Sequence, residues 1–302
     1  MYIADMHCDS LSLVTADRGL RTRYNLSLDH PQLQVFAAFD KYTTEPAELR
    51  RRRLMHTLDI YISERARLDF VPVYDCRDID FALATERNSS IFAVEGGGGL
   101  TADCDELRSL YNGGLRLLGL AWGSNELATA SGDTSGVGLT EQGRALALRA
   151  SEMGIILDLS HLSDRAAEEL LELTPYPVVA THSNFRELAD TPRNLPLSIA
   201  RKIASRGGVI GLSLYPRHLT AADTATLDDL RRHVDFALEH LGEGSIGFGF
   251  DIDGTSGAYP AGLDESDSIH DRVLDYLSRY YSAPTLERLS GTNVIDFFKS
   301  NL

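Results

Sequence analysis

Residues 154–161 read GIILDLSH and residues 177–182 read PVVATH. Each is a short apolar run that ends on an imidazole, His161 in one and His182 in the other. The arrangement recurs along the chain. YIADMHCD (2–9) carries His7 and Asp9 at its end, IFAVE (91–95) closes on Glu95, and IGFGFD (246–251) closes on Asp251. Between such runs lie stretches with helical spacing, such as Leu54, Leu58, Ile62 and Ala66 after Pro46. Short apolar runs that alternate with helices read as βα units. The runs 2–7, 33–39, 91–95, 115–122, 155–160, 177–181, 209–215 and 245–251 supply eight strands. The expected fold is α/β, a single (β/α)8 TIM-type barrel domain spanning 1–302. In such barrels catalytic side chains gather at the C-terminal ends of the strands, where these acids and imidazoles fall.

Helix boundaries carry their own signals. Thr140 caps a helix over 141–153 that Gly154 stops, and Ser163 caps DRAAEELLEL. Pro196 opens LSIARKIAS, and Thr226 precedes LDDLRRHVDFALEHL. The run Arg50–Arg53 reads as a solvated helix face. No proline-rich or low-complexity linker divides the chain.

The chain has 302 residues, of which 43% are hydrophobic and 24% charged, as in ordinary globular proteins. A net charge of −15 argues against nucleic acid or an anionic membrane as partner. Cys8, Cys76 and Cys104 are too few to build a disulfide framework. No apolar stretch reaches the roughly 18–20 residues of a membrane span, and no leader pattern opens the chain. The expected location is cytoplasmic.

The donors suggest a metal site. His7 and Asp9 are two apart, so on a strand they share a face. Glu95 offers two carboxylate oxygens and can bridge two ions. His161 and His182 end neighbouring strands. Imidazole with carboxylate suits zinc, or else manganese or iron. Five ligands exceed the three protein ligands of a typical catalytic zinc, so the pattern points to two ions about 3.5–4 Å apart. Asp251 is either a ligand or a general base, and Asp253 shares its face if the strand continues. His30, His56, His218, His233, His240 and His270 end no strand and read as surface or helix residues. The glycines fit neither G-x-G-x-x-G nor a P-loop.

Taken together, MHCD (6–9), VEGG (94–97), DLSH (158–161), THSN (181–184), RN (193–194) and GFDIDG (249–254) resemble the membrane (renal) dipeptidase family of amidohydrolase-like metal hydrolases. The resemblance covers nearly the whole chain. It implies a barrel with two Zn2+ ions per chain, His7 and Asp9 on one, His161 and His182 on the other, and Glu95 bridging. It makes Glu95 and Asp251 catalytic, with Asp251 handling the proton. Arg193 would grip the substrate's C-terminal carboxylate, and Tyr215 would lie near the substrate. The implied activity is zinc-dependent hydrolysis of dipeptides by a hydroxide shared between the ions. Dipeptides with a C-terminal D-residue are among the candidate substrates. A homodimer is the candidate assembly.

One position departs from the family. Mammalian members carry a histidine after strand four, whereas this chain reads LAWGSNE with Trp122 there. Trp has one N–H and cannot shuttle protons, but it can pack on a substrate. That difference keeps a second reading open, an amidohydrolase acting on N-acyl amino acids or a related small amide. A third reading is a barrel that binds peptide without turnover.

Overall fold

The computed structural model describes residues 1–15, 19–20, 30–41, 43–264 and 268–302. Apolar runs covered on both faces become parallel strands. The first half of the chain forms β1 (Ile3–Cys8), β2 (Gln32–Phe39), α1 (Ala47–Arg67), β3 (Val71–Pro72), α2 (Cys76–Ala84), β4 (Ser89–Glu95), α3 (Asp105–Gly113) and β5 (Leu115–Gly119). There follow α4 (Glu141–Glu152), β6 (Ile156–Asp158), α5 (Asp164–Leu173), α6 (Leu197–Ser205), β7 (Ile210–Leu212), α7 (Pro216–Leu219), α8 (Leu227–His240) and β8 (Ile246–Phe248). The chain closes with α9 (Ile269–Leu277), α10 (Ala283–Glu287) and α11 (Asn293–Asn301). The expected caps are in place: Thr140 accepts from the Gly143 N–H, Ser163 from the Ala166 N–H, and Thr226 forms a capping box with Asp229.

The strands pair in the order β6-β5-β4-β2-β1-β8-β7, with β3 added against β4, and every pairing is parallel. This sheet curls into a half-barrel. Alternate residues of a strand feed two cores. Phe92 and Val94 join the larger one, which packs on helix residues such as Leu54, Leu58 and Leu146. Ile91 and Ala93 join a smaller one with Phe297 and Phe298 of α11. Glu95 lies two residues beyond Ala93 on the same face. The pleat therefore delivers its carboxylate to the end of the smaller core.

The predicted strand 177–181 is present only as single parallel bridges, Val179 to Asp158 and Ala180 to Ile210. The cause is local. The Thr181 N–H donates to Asp158 Oδ1 at 2.9 Å instead of continuing a backbone ladder. Side chains shorten the neighbouring strands in the same way. Ser213 N–H donates to Asn184 Oδ1 at 2.9 Å, and Phe250 N–H to Asp5 Oδ1 at 3.2 Å.

Arg50 corrects the sequence reading of its run. It is buried, with Nε 2.5 Å from Asp40 Oδ2 and Nη1 2.8 Å from Glu126 Oε2. A four-arginine run on an amphipathic helix must turn at least one member inward, and the buried Asp40 and partly exposed Glu126 carboxylates meet it there. Glu126 also accepts from the Gly99 N–H, so the network braces the loop that follows Glu95. Among the described residues, no helix is long and apolar enough to cross a membrane.

Two glycines are required by close packing. A Cβ on Gly249 would lie 1.8 Å from the Thr181 carbonyl oxygen, and one on Gly211 would lie 2.0 Å from it. The backbone just before His182 is wedged between them. Gly249→Ala is expected to cost about 3 kcal/mol or more in urea unfolding, because backbone rather than side chain must move. Gly244→Ala, with nothing within 4 Å of its Cβ, is the control and is expected to stay within about 0.5 kcal/mol.

Candidate metal centre

β1 delivers His7, and Asp9 follows it. The turn after β8 comes back to them: Asp9 N–H donates to the Ile252 carbonyl at 2.9 Å, and Asp251 N–H to the His7 carbonyl at 3.2 Å. Asp251 is thereby stitched beside His7. Gly254 makes room for the two acids, since a Cβ there would meet Asp251 Oδ1 at 2.0 Å and Asp9 Oδ2 at 2.5 Å. Asp253 goes elsewhere and accepts from Ser10 Oγ at 2.7 Å. The question of which acid faces the cluster is thus answered by geometry in favour of Asp251.

The structure brings His7, Asp9, Glu95, His161, His182 and Asp251 together, although they lie far apart in sequence. Their ligand atoms form three overlapping groups: His7–Asp9–Glu95, Glu95–His161–His182 and His7–His182–Asp251. Glu95 uses a different oxygen toward each side. Its Oε2 lies 3.5 Å from His7 Nε2, while its Oε1 lies 2.6 Å from His161 Nε2 and 3.2 Å from His182 Nε2.

The spacing on the His7 side fits a cation better than it fits hydrogen bonds. His7 Nε2 is 3.7 Å from Asp9 Oδ1, 3.5 Å from Glu95 Oε2 and 3.9 Å from Asp251 Oδ1. Ligands held about 2.0–2.2 Å from a tetrahedral ion stand roughly 3.3–3.6 Å from one another. His7 Nε2, Asp9 Oδ1 and Glu95 Oε2 are all buried, and none has a hydrogen-bond partner among the described residues. Three orphaned donor atoms facing one point are what a metal site leaves when its ion is set aside. The His161 side is tighter, with the two imidazole Nε2 atoms 3.0 Å apart.

Surrounding contacts fix the ring orientations. Thr181 Oγ1 gives its proton to Asp158 Oδ2 at 2.5 Å, so it accepts from His182 Nδ1 at 2.9 Å. That assignment puts the His182 proton on Nδ1 and leaves Nε2 as a lone-pair donor. Asp5 plays a similar part beneath His7. Its Oδ1 accepts from the His7 N–H at 3.0 Å and from the Phe250 N–H, and its Oδ2 meets His270 Nε2 at 2.8 Å. His161 and Asp251 adopt positive φ values of 68° and 61°. Such angles are unusual for residues with a Cβ and are a recurring feature of functional sites.

Electrostatics divides the cluster. Burial alone would raise the Glu95 carboxyl, but His7 and His161 hold it well below the usual carboxylate range. Burial lowers His161, with the Arg193 charge adding to it, and lowers His182 much further, with His7 adding to it. Neutral imidazoles are the ligating form. Burial also lowers His7, yet the Glu95 and Asp9 charges outweigh it and raise the ring well above the usual imidazole range. The acids around His7 thus favour positive charge at this point of the cluster. Burial raises Asp251 well above the usual carboxylate range, and the Asp9 and Glu95 charges add to this.

The cluster opens into a cavity of about 280 Å³. Its walls include Trp122, Arg193, Tyr215, His218 and Thr255. Arg193 is held by Nη1 to Ser183 Oγ and Nη2 to the His182 carbonyl, both at 3.0 Å, and its buried Nε has no partner among the described residues. Trp122 is 39% exposed, with its ring centroid 5.9 Å from that of His161 and 6.2 Å from that of Phe39. Tyr215 lies at the start of α7 with its ring edge-on to His218 at 4.8 Å.

Sequence reasoning set aside His218, His233 and His270, and all three are buried. His218 and Thr255 line the cavity although neither ends a strand. The only sequence signal for them was nearness to a strand end, His218 after β7 and Thr255 after GFDIDG.

A profile of the membrane dipeptidase family (peptidase family M19) matches residues 3–301. The chain belongs to this family. It is 26% identical over 263 residues to dipeptidase verJ of Clonostachys rogersoniana, covering 86% of this chain and 66% of that protein. It is 29% identical over 222 residues to dipeptidase 3 of Mus musculus, covering 71% and 45%. The matched region is therefore about half to two thirds of these relatives' own lengths. Among solved structures, a metallopeptidase from Rhodobacter sphaeroides bound to a phosphinate mimic of the dipeptide L-Ala-D-Ala superposes with a TM-score of 0.85 at 22% identity, covering 100% of this chain and 99% of that one. The probable dipeptidase PvdM from Pseudomonas aeruginosa gives 0.84 at 18%, covering 99% and 95%. At these identities the structural likeness speaks to the fold.

A pH dependence follows from the acids. Burial, with the Glu95 charge, pushes the Asp9 carboxyl up to about 6. A protonated Asp9 can neither attract nor ligate a cation, so protons compete with metal below that value. The affinity for a divalent cation is expected to fall as pH drops through about 6, measured by titration calorimetry between about pH 7.5 and 5. A flat affinity over this window would remove Asp9 from the ligand set.

Proposed function

We propose that this protein is a zinc-dependent dipeptidase with two ions per chain. The observation that carries this reading is the division of Glu95, one buried carboxylate oxygen facing His7 and Asp9 and the other facing His161 and His182. A bridging role accounts for both oxygens, and a mixed imidazole–carboxylate donor set suits zinc. The ions, when bound, would polarise the scissile carbonyl and lower the pKa of a water molecule.

The chain's own residues supply the remaining parts. Asp251 accepts the proton released by the attacking water and returns it to the leaving amine. Burial raises its pKa above the usual carboxylate range, which makes it a stronger proton acceptor. Arg193 is a partly buried residue whose guanidinium hydrogen-bonds a hydroxyl and a backbone carbonyl. A substrate carboxylate would supply the negative charge it needs. Trp122 and Tyr215 wall the cavity and exclude water around the substrate. A cavity of about 280 Å³ suits a small molecule such as a dipeptide, including one with a C-terminal D-residue, rather than an extended peptide.

We further read the half-barrel as part of one closed (β/α)8 domain over 1–302. The support is that residues 179 and 180 bridge to both β6 and β7, the two ends of the strand order. A cytoplasmic location is part of this proposal, and the charge of −15 is in keeping with it.

Arg193→Ala is expected to raise KM for dipeptides about 100-fold, and much less for dipeptide amides, in line with loss of a charged hydrogen-bond pair. Equal losses on both would contradict the assignment. Asp251→Asn is expected to lower kcat by roughly 10²–10⁴ while zinc content stays at the wild-type level. A panel that sets dipeptides against N-acyl amino acids separates this function from that of an amidohydrolase with the same ligands.

A further inference from the structure

One wall of the cavity holds a histidine that the chemistry above does not use. His218, in α7, is 8% exposed and lines the cavity with Arg193 and Tyr215. Its Nδ1 is buried and has no hydrogen-bond partner among the described residues. Arg193 Nε is in the same condition. Buried polar atoms are otherwise paired, so both residues of this wall keep unused hydrogen-bonding capacity beside the cavity.

The placement of His218 is fixed from three directions. Asn194, the neighbour of Arg193, donates through Nδ2 to the His218 carbonyl at 2.8 Å. His233, in α8, has Nε2 3.0 Å from the Leu219 carbonyl and Nδ1 3.3 Å from the Phe185 N–H. A carbonyl only accepts, so the His233 proton sits on Nε2 and its Nδ1 accepts. The Tyr215 ring meets His218 edge-on. These contacts tie the Arg193 loop and α7 into one rigid wall.

We propose that His218 is a specificity residue that joins Arg193 in receiving the carboxylate of the substrate's C-terminal residue, through a hydrogen bond donated by its neutral imidazole. This rests on the dipeptidase reading. Burial lowers the ring well below the usual imidazole range, and the Arg193 charge adds to that. A neutral imidazole has one N–H to give, and a carboxylate has about four lone-pair positions to fill. The carboxylate can therefore take Arg193 and His218 together. A terminal amide turns an NH2 toward one of these donors and leaves it unpaired. Sites built on fixed donors reject such analogues strongly. The pair thus reads carboxylate against amide.

The test uses the zinc-loaded protein and its His218→Phe and His218→Gln variants. Phe keeps an aromatic edge against Tyr215 and removes the donor, whereas Gln restores one. With Phe, the kcat/KM preference for a dipeptide over its amide is expected to fall about tenfold, through KM, with kcat within about twofold. Gln is expected to recover most of the preference. An unchanged preference, or equal losses on both substrates, would overturn the inference. A crystal structure of the wild-type protein with a phosphinate dipeptide mimic gives the answer without any variant. A His218 ring nitrogen within hydrogen-bond distance of the mimic's carboxylate supports the inference, and a separation beyond about 4 Å overturns it. Absence of dipeptide hydrolysis by the wild-type protein would overturn the dipeptidase reading and this inference with it. Turnover with unchanged selectivity in the variants overturns the inference alone.

Discussion

The site depends on one buried anion. Glu95 lies at the end of a strand whose seven residues are all buried, in surroundings that would ordinarily protonate a carboxyl group. His7 at one of its oxygens and His161 at the other hold it well below the usual carboxylate range. Every other donor in the cluster is arranged about that charge. Where acids outnumber the positive charge within reach, as around His7, the distances widen to 3.5–3.9 Å, and His7 Nε2, Asp9 Oδ1 and Glu95 Oε2 are left without hydrogen-bond partners among the described residues. A cation in that space resolves the excess of negative charge and the missing hydrogen bonds together.

Holding such a cluster in place requires rigidity behind it. Asp5 and Asp158 supply it by one device. Each is a buried carboxylate on a strand, Asp5 within β1 and Asp158 at the end of β6, and each accepts backbone N–H groups from two residues further on and from a neighbouring segment. These contacts interrupt the regular ladders and shorten the strands. In exchange, His7, Asp251 and His182 are fixed from below. The positive φ angles at His161 and Asp251 and the tight fit of Gly254 show how far the backbone departs from its ordinary preferences to bring these side chains together.

Much of this was legible in the sequence, for a definite reason. Strand ends are marked by the close of an apolar run, and the metal-side residues His7, Asp9, Glu95, His161, His182 and Asp251 all stand at such a close. The parallel α/β architecture was readable from the alternation of runs and helices. What was not legible depends on contacts between distant segments. Arg50 looked like part of a solvated run, because its partners Asp40 and Glu126 lie beyond the helix. His233 and His270 looked like helix-surface residues, yet they hydrogen-bond buried partners on other elements. His218 follows a strand by too wide a margin for periodicity to mark it. The choice between Asp251 and Asp253 needed the turn geometry, since strand alternation places both on one face.

The most direct measurement of the central claim is zinc stoichiometry, read by atomic spectrometry on wild-type protein and on Glu95→Gln prepared side by side without chelator. The expected result is two ions per chain in the wild type and a loss of both in the variant, because a single carboxylate serves both sides. A variant that keeps two ions, or a wild-type protein that hydrolyses dipeptides with none, would contradict it.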